Sequence, residues 1–116
     1  MFLGEYQHNL DTKGRVAIPS KFRQQLSGKA IITRGLDRCL FVFTEKEWEI
    51  FAQKIVDKMP IARSDSRAFT RLMLAEATDA EVDKQGRVLI PNYLREYAHL
   101  KKEVVVTGLY NRFEIW

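Results

Sequence analysis

A single cysteine, Cys39, leaves no partner for an internal disulfide. A disulfide-stapled scaffold is therefore excluded, and the lone thiol suits a reducing cytoplasm. Two histidines, His8 and His99, lie far apart from each other and from Cys39, which makes a poor metal set. No apolar run approaches the ~20 residues that cross a bilayer. The opening Met1-Phe2-Leu3-Gly4-Glu5 lacks a basic stretch followed by an apolar one, so no secretory signal and no membrane partner are expected. There is no glycine-rich phosphate loop, nucleophile elbow or paired-carboxylate motif, and neither histidine sits in a catalytic spacing. The expectation is a protein without catalytic residues, cofactor or metal, and not an enzyme. No Pro-, Gly- or Ser-rich linker divides the chain, and 116 residues suit one domain at ~100–200 residues each. The charge is only mildly basic, 19 Lys and Arg against 15 Asp and Glu, so the placement of charge carries more information than its sum.

What the chain does contain is an internal duplication. Asp11-Thr12-Lys13-Gly14-Arg15-Val16-Ala17-Ile18-Pro19 returns as Asp83-Lys84-Gln85-Gly86-Arg87-Val88-Leu89-Ile90-Pro91, a constant step of 72 that Arg23 and Arg95 also keep. Ile31 to Leu36 returns as Val104 to Leu109 with a step of 73, so one residue is added between the blocks. A repeat of this kind sets the architecture. It implies two half-structures related by a pseudo-twofold axis, and a chain this short favours a single shared core. Two similar surfaces side by side suit a partner that is itself repetitive.

Each repeat reads as strand, turn, strand, short helix, strand, strand. In the first, Glu5 to Leu10 leads into a turn where Asp11 bonds its own backbone and Gly14 supplies positive φ. Arg15 to Ile18 alternates, Val16 and Ile18 inward, Arg15 and Ala17 outward. Pro19 stops the strand and suits the first turn of a helix from Ser20 to Leu26, ended near Gly28. Ala30 to Thr33 and Leu40 to Phe43 are strands around a turn at Gly35. The second repeat follows suit: Val82, the turn closed by Gly86, Arg87 to Ile90, a helix to about Ala98, Val104 to Thr107, a turn at Gly108, and Phe113 to Trp116. Between them, Thr44-Glu45-Lys46-Glu47 is a capping box. It opens a helix with apolar Trp48, Phe51, Ala52, Ile55, Val56 and Met59, which Pro60 ends. Ser64 or Asp65 caps a second helix with Ala68, Phe69, Leu72 and Met73 on its apolar side. Trp48, Phe51, Ile55, Phe69, Leu72 and Met73 exceed what such a helical hairpin needs, so some are expected to face a neighbouring subunit.

Turn geometry accounts for Asp and Gly appearing twice. It does not demand Arg at the same outward position twice. Asp11 can pair with Arg15, and Asp83 with Arg87, fixing a guanidinium whose planar fork suits phosphate or guanine. Basic residues cluster around these turns: Lys13, Arg15, Lys21 and Arg23 in one copy, Lys84, Arg87 and Arg95 in the other. Arg63, Arg67 and Arg71 form a helical stripe that Asp65 and Glu76 partly neutralise. Cys39 is expected to be a buried small hydrophobe.

Gly-Arg-Val-x-Ile-Pro after a strand and an Asp-led turn, followed by a short helix, resembles the AbrB-type swapped-hairpin module of bacterial transcription regulators. Two such modules around a helical hairpin, with the opening Phe2-Leu3-Gly4-Glu5-Tyr6, resemble the MraZ family over the whole chain. The resemblance implies an α+β fold: a small β-barrel of two AbrB-like βαβ repeats in one chain, with the helical hairpin inserted. It implies closed-ring homo-oligomers and a cytoplasmic, nucleoid-associated repressor. Its double-stranded DNA target would be direct repeats in the promoter of the division and cell-wall gene cluster. It assigns DNA contact to the Asp-x-x-x-Arg residues. On that reading Arg15, Arg87, Lys13 and Lys84 contact DNA, Asp11 and Asp83 orient the arginines, and Gly14 and Gly86 shape the turns. Lys84-Gln85 replaces Thr12-Lys13 in the second copy, which implies a weaker contact there. Relatives often continue into a helical tail, whereas this chain stops at Trp116. The expected organisation is repeat one over 5–47, the hairpin over 48–75 and repeat two over 76–116, around one core. The other readings are a ring-forming protein-binding scaffold and an antitoxin-like AbrB protein.

Overall fold

Val16, Ile18, Val88 and Ile90 alternate with outward residues and are almost completely buried. Their mutual burial organises the computed structural model, which describes residues 1–116. The first repeat contains β1 (Phe2–Asn9), β2 (Arg15–Ala17), α1 (Ser20–Leu26), β3 (Lys29–Arg34) and β4 (Leu40–Phe43). Helices α2 (Glu45–Lys58) and α3 (Ser64–Thr70) follow, and α3 widens into a π-helical turn over Arg71–Ala75. The second repeat contains β5 (Thr78–Glu81), β6 (Arg87–Leu89), α4 (Asn92–Tyr97), β7 (Glu103–Tyr110) and β8 (Phe113–Ile115).

The result is a mixed α/β fold around an antiparallel sheet of order β1-β7-β8-β4-β3-β5, with β2 and β6 forming a separate ribbon. The first strand of each repeat pairs with the third strand of the other: β1 with β7, and β5 with β3. The fourth strands pair with each other, Phe41 opposite Glu114. In the ribbon Val16 lies opposite Val88. Neither repeat can therefore complete its sheet alone. The hydrogen-bonded order is open, with β1 and β5 at its ends, where the resemblance led us to expect closure into a barrel.

One cluster of 17 buried residues draws on both repeats and holds Phe2, Phe22, Leu40, Leu94, Phe113 and the ribbon valines. All four residues of β4 are buried because the strand is covered on both faces. Leu40 and Val42 face this first core, while Phe41 and Phe43 face a second one made with Cys39, Ile55 and Met73. Trp48, Phe51, Phe69 and Leu72 pack against that second cluster. The apolar helix residues expected at a neighbouring subunit thus already have a partner, the back of β3 and β4. Val56, expected on the apolar stripe, is instead 59% exposed, and Ala68 is exposed too.

Several local details depart from the sequence reading for physical reasons. β1 begins at Phe2, because Phe2 is core and pairs opposite Tyr110. Pro19 and Pro91 sit one residue earlier than expected, capping α1 and α4 rather than opening their first turns. The Thr44 hydroxyl accepts from the Glu47 amide at 3.0 Å, so the capping box is made on that side. Ser64 and Asp65 do not cap α3; Ser64 is its first residue, and Asp65 accepts from the amide of Ser66. Gly35 is needed for space and not for positive φ, since a β-carbon there would meet the Phe41 ring at 2.6 Å; Asp37 and Arg38 supply the positive φ. Gly108 is no turn either: it lies within β7 opposite Gly4, and a β-carbon would meet the Leu3 amide nitrogen at 2.6 Å.

Phe22 is ringed by Phe2 and Phe113, each with ring centroids 5.1 Å away, and by Tyr6 at 5.5 Å. Phe22→Ala should cost about 3–5 kcal/mol, as for buried aromatics in general. Val56→Ala should stay within about 0.5 kcal/mol. Urea unfolding monitored by tryptophan fluorescence measures both, and similar costs for the two would contradict this assignment of core and surface.

Candidate nucleic-acid interface

Each duplicated turn is built by one aspartate. The Oδ1 atom of Asp11 accepts from the amides of Lys13 (2.9 Å) and Arg15 (2.8 Å), while its own carbonyl accepts from the Gly14 amide at 3.1 Å. Gly14 takes φ 85°, which a side chain would resist. Asp83 repeats the pattern, with Oδ1 accepting from Gln85 and Arg87, each at 2.9 Å, and Gly86 at φ 77°.

The remaining carboxylate oxygen orients the arginine. Arg15 Nε donates to Asp11 Oδ2 at 2.8 Å, and Arg87 Nε donates to Asp83 Oδ2 at 3.2 Å. The Nε edge of each guanidinium is thereby occupied. The contact is mostly geometric in effect, because these side chains are about a third exposed and solvent screens the attraction. The Arg15 amide, helped by its side chain, holds the Asp11 carboxyl down at about 2 from its usual 3.8. Asp83 is lowered for the same reason, first by the Arg87 amide.

The ribbon brings the turns together. Ile18 N–H donates to Gly86 O at 2.9 Å and Ile90 N–H to Gly14 O at 2.8 Å, so each strand ends on the glycine of the other turn. Arg87 Nη1 also reaches Asp11 Oδ2 at 3.5 Å, a contact Arg15 does not return to Asp83. Asp11 therefore serves both arginines, and the two guanidiniums lie on one patch. Lys13 and Lys84 are exposed on the same two turns and enter no ion pair.

By sequence Arg23 and Arg95 belong among the basic residues of their own turns. The structure stacks each over the opposite one: a β-carbon on Gly14 would coincide with the Arg95 guanidinium, and one on Gly86 would overlap that of Arg23. Arg95 also donates to the Lys13 carbonyl at 3.5 Å and to Asn92 Oδ1 at 3.2 Å. The shared step of 72 signalled that these residues belong with the glycines, but not which glycine.

The other candidates lie apart. Arg63 pairs with Asp65 at 2.9 Å, and Arg67 donates to the Ile61 carbonyl at 2.9 Å. Glu76 does not neutralise the stripe; it pairs with Arg34 at 3.5 Å. Cys39 is fully buried, its thiol pushed up to about 12 chiefly by that burial. His99 takes φ 52° and closes α4. No three His, Cys, Asp or Glu side chains gather as metal ligands, and no helix is long and apolar enough to cross a membrane.

A family model described as "MraZ protein, putative antitoxin-like" matches residues 1–72 and again 73–116. The chain belongs to the MraZ family. The Transcriptional regulator MraZ of Carboxydothermus hydrogenoformans is 57% identical over 116 residues, covering 100% of this chain and 80% of that protein. Its namesake from Desulforamulus reducens is 53% identical, covering 100% and 81%. The solution structure of PHS018 from Pyrococcus horikoshii aligns over 99% of this chain and 88% of that one at a TM-score of 0.38 and 15% identity.

Asp11 makes a test of the turn. Its carboxyl is depressed in the folded state, so the stability it contributes is complete above the ordinary value of 3.8 and is lost as pH falls toward about 2. An NMR titration of the Asp11 side-chain carbon should show a midpoint near 2, and Arg15→Ala should raise it. A midpoint at the ordinary value in the wild type would contradict the turn. Gly14→Ala should lower the melting temperature, since it meets both positive φ and the Arg95 guanidinium.

Proposed function

We propose that the chain is a sequence-specific, double-stranded DNA-binding transcriptional repressor. The observation that carries this reading is the joint patch of two preset guanidiniums. Arg15 and Arg87 have Nε held by carboxylates and Arg87 Nη1 reaches Asp11, which leaves both Nη atoms of Arg15 and Nη2 of Arg87 to read base edges or phosphates. Lys13 and Lys84 are the phosphate contacts beside them, Asp11 and Asp83 orient the arginines, and Gly14 and Gly86 let the turns form. The ribbon of β2 and β6, joined to the end of β1 by the Leu10–Val16 bridge, is the element that approaches the major groove. The relatives, named as transcriptional regulators, support the regulatory role.

The finer architecture belongs to the same reading. The two repeats, 5–47 and 76–116, are related by an approximate twofold axis passing between Val16 and Val88, and 48–75 is an insert. The reciprocal strand pairings support this. Copies of the chain assemble into a closed ring in the cytoplasm and act at the nucleoid on direct repeats upstream of a division and cell-wall gene cluster. Linking many identical patches on one rim raises effective concentration without new contacts.

Arg15→Ala and Arg87→Ala should each cost roughly 1–3 kcal/mol of specific binding, as for one lost bidentate base contact. The melting temperature should fall only slightly, by what Asp11 and Asp83 lose with their solvent-screened guanidinium partners. Mobility shifts on the gene's own upstream region, against scrambled DNA, measure this. Unchanged affinity in the double variant would remove the site assignment. Affinity should also climb with one to four tandem boxes spaced near ~10 base pairs and collapse when the spacing shifts by half a turn.

A further inference from the structure

From its duplicated turn to the start of its third strand, the second repeat (Gly86 to Glu103) is two residues longer than the first (Gly14 to Lys29), and this extension changes the surroundings of one site only. After α1 the chain passes through Ser27 and Gly28 directly into β3. After α4 it passes through Ala98 to Lys102 before β7 starts at Glu103. The two connections do the same structural job: the Gly28 carbonyl accepts from the Val82 amide at 2.9 Å, and the Lys102 carbonyl from the Leu10 amide at 2.7 Å. Val82 and Leu10 immediately precede Asp83 and Asp11. The second turn is therefore flanked by Ser27-Gly28, and the first by Lys101-Lys102.

Lys101 and Lys102 are both exposed and make no ion pair. With Asn9, Leu10, Asp11, Thr12 and Leu100 they line a shallow cleft beside the first turn. The one carboxylate in that cleft, Asp11, is already bonded to Arg15 and Arg87. Glu103, next along the chain, is exposed on β7 opposite Asn9 and pairs with neither lysine. Two cations without acidic partners beside a turn are the chemistry that holds a phosphodiester.

We propose that Lys101 and Lys102 bind the DNA phosphate backbone where it leaves the first turn, making the interface one-sided, with the first turn anchored and the second held by its ribbon. The proposal rests on the DNA-binding reading above. It separates two roles: Arg15 and Arg87 discriminate sequence, while these lysines bind any duplex. Each neutralised phosphate contributes about −0.9 to the slope of log affinity against log salt.

The experiment is fluorescence anisotropy with a duplex from the gene's own upstream region and a scrambled duplex, over roughly 50–200 mM salt. The proteins are the wild type, Lys101→Ala/Lys102→Ala, and Lys101→Arg/Lys102→Arg. The alanine pair should flatten the salt slope by about 1–2 and lower affinity for both duplexes by the same factor, keeping the discrimination ratio. The arginine pair should restore the slope, and melting temperatures should agree across all three. If the wild type binds and the alanine pair keeps its slope, or loses discrimination instead, the lysine assignment is overturned and DNA binding stands. If the wild type binds neither duplex, the DNA-binding reading itself falls, and the lysine assignment with it.

Discussion

Everything in this molecule depends on the antiparallel contact of two three-residue strands, Arg15–Ala17 and Arg87–Leu89. By itself a ribbon so short is marginal in water. It persists because Val16 and Val88 bury completely against a core that both repeats supply. Backbone hydrogen bonds from Ile18 and Ile90 then tie each strand to the opposite glycine turn. Strand exchange does the rest: β1 lies on β7 and β5 on β3, so unfolding one repeat would strip the other of a sheet partner.

The same contact creates the candidate site. One Asp-x-x-Gly-Arg turn would present one guanidinium fixed by one carboxylate. The ribbon sets two such turns together, close enough that Asp11 is reached by both Arg15 and Arg87. Each turn is also covered by an arginine from the other repeat's helix, Arg95 over Gly14 and Arg23 over Gly86. The positions of Arg15 and Arg87 are thus fixed by the whole domain and not by the local hairpin.

The two repeats are not equal. The pairing of Arg87 with Asp11 has no counterpart, and the first turn alone is flanked by consecutive lysines. Helices α2 and α3 serve a different purpose. They cover the far face of β3 and β4 with a second apolar cluster built on Phe43, Phe51 and Met73, which makes β4 the shared wall of two cores.

The duplication, the Asp-led turns, the alternation of Val16 and Ile18, and the helix from Ser20 to Leu26 were legible in the sequence. Each rests on local rules: glycine at positive φ, an aspartate bonding amides two and four residues on, apolar residues at period two. Sequence also sufficed to name the MraZ family. Only the tertiary structure decided what lay at long range. It placed Gly108 inside a strand, because the backbone of Leu3 leaves no room for a side chain there. It turned the apolar residues of α2 and α3 inward onto β4, because that face of the sheet had no other cover. It assigned Arg95 to Gly14 and Arg23 to Gly86, because a step of 72 along the chain records kinship and not proximity. Which repeat meets which is settled by the burial of a common core, and no local pattern encodes it.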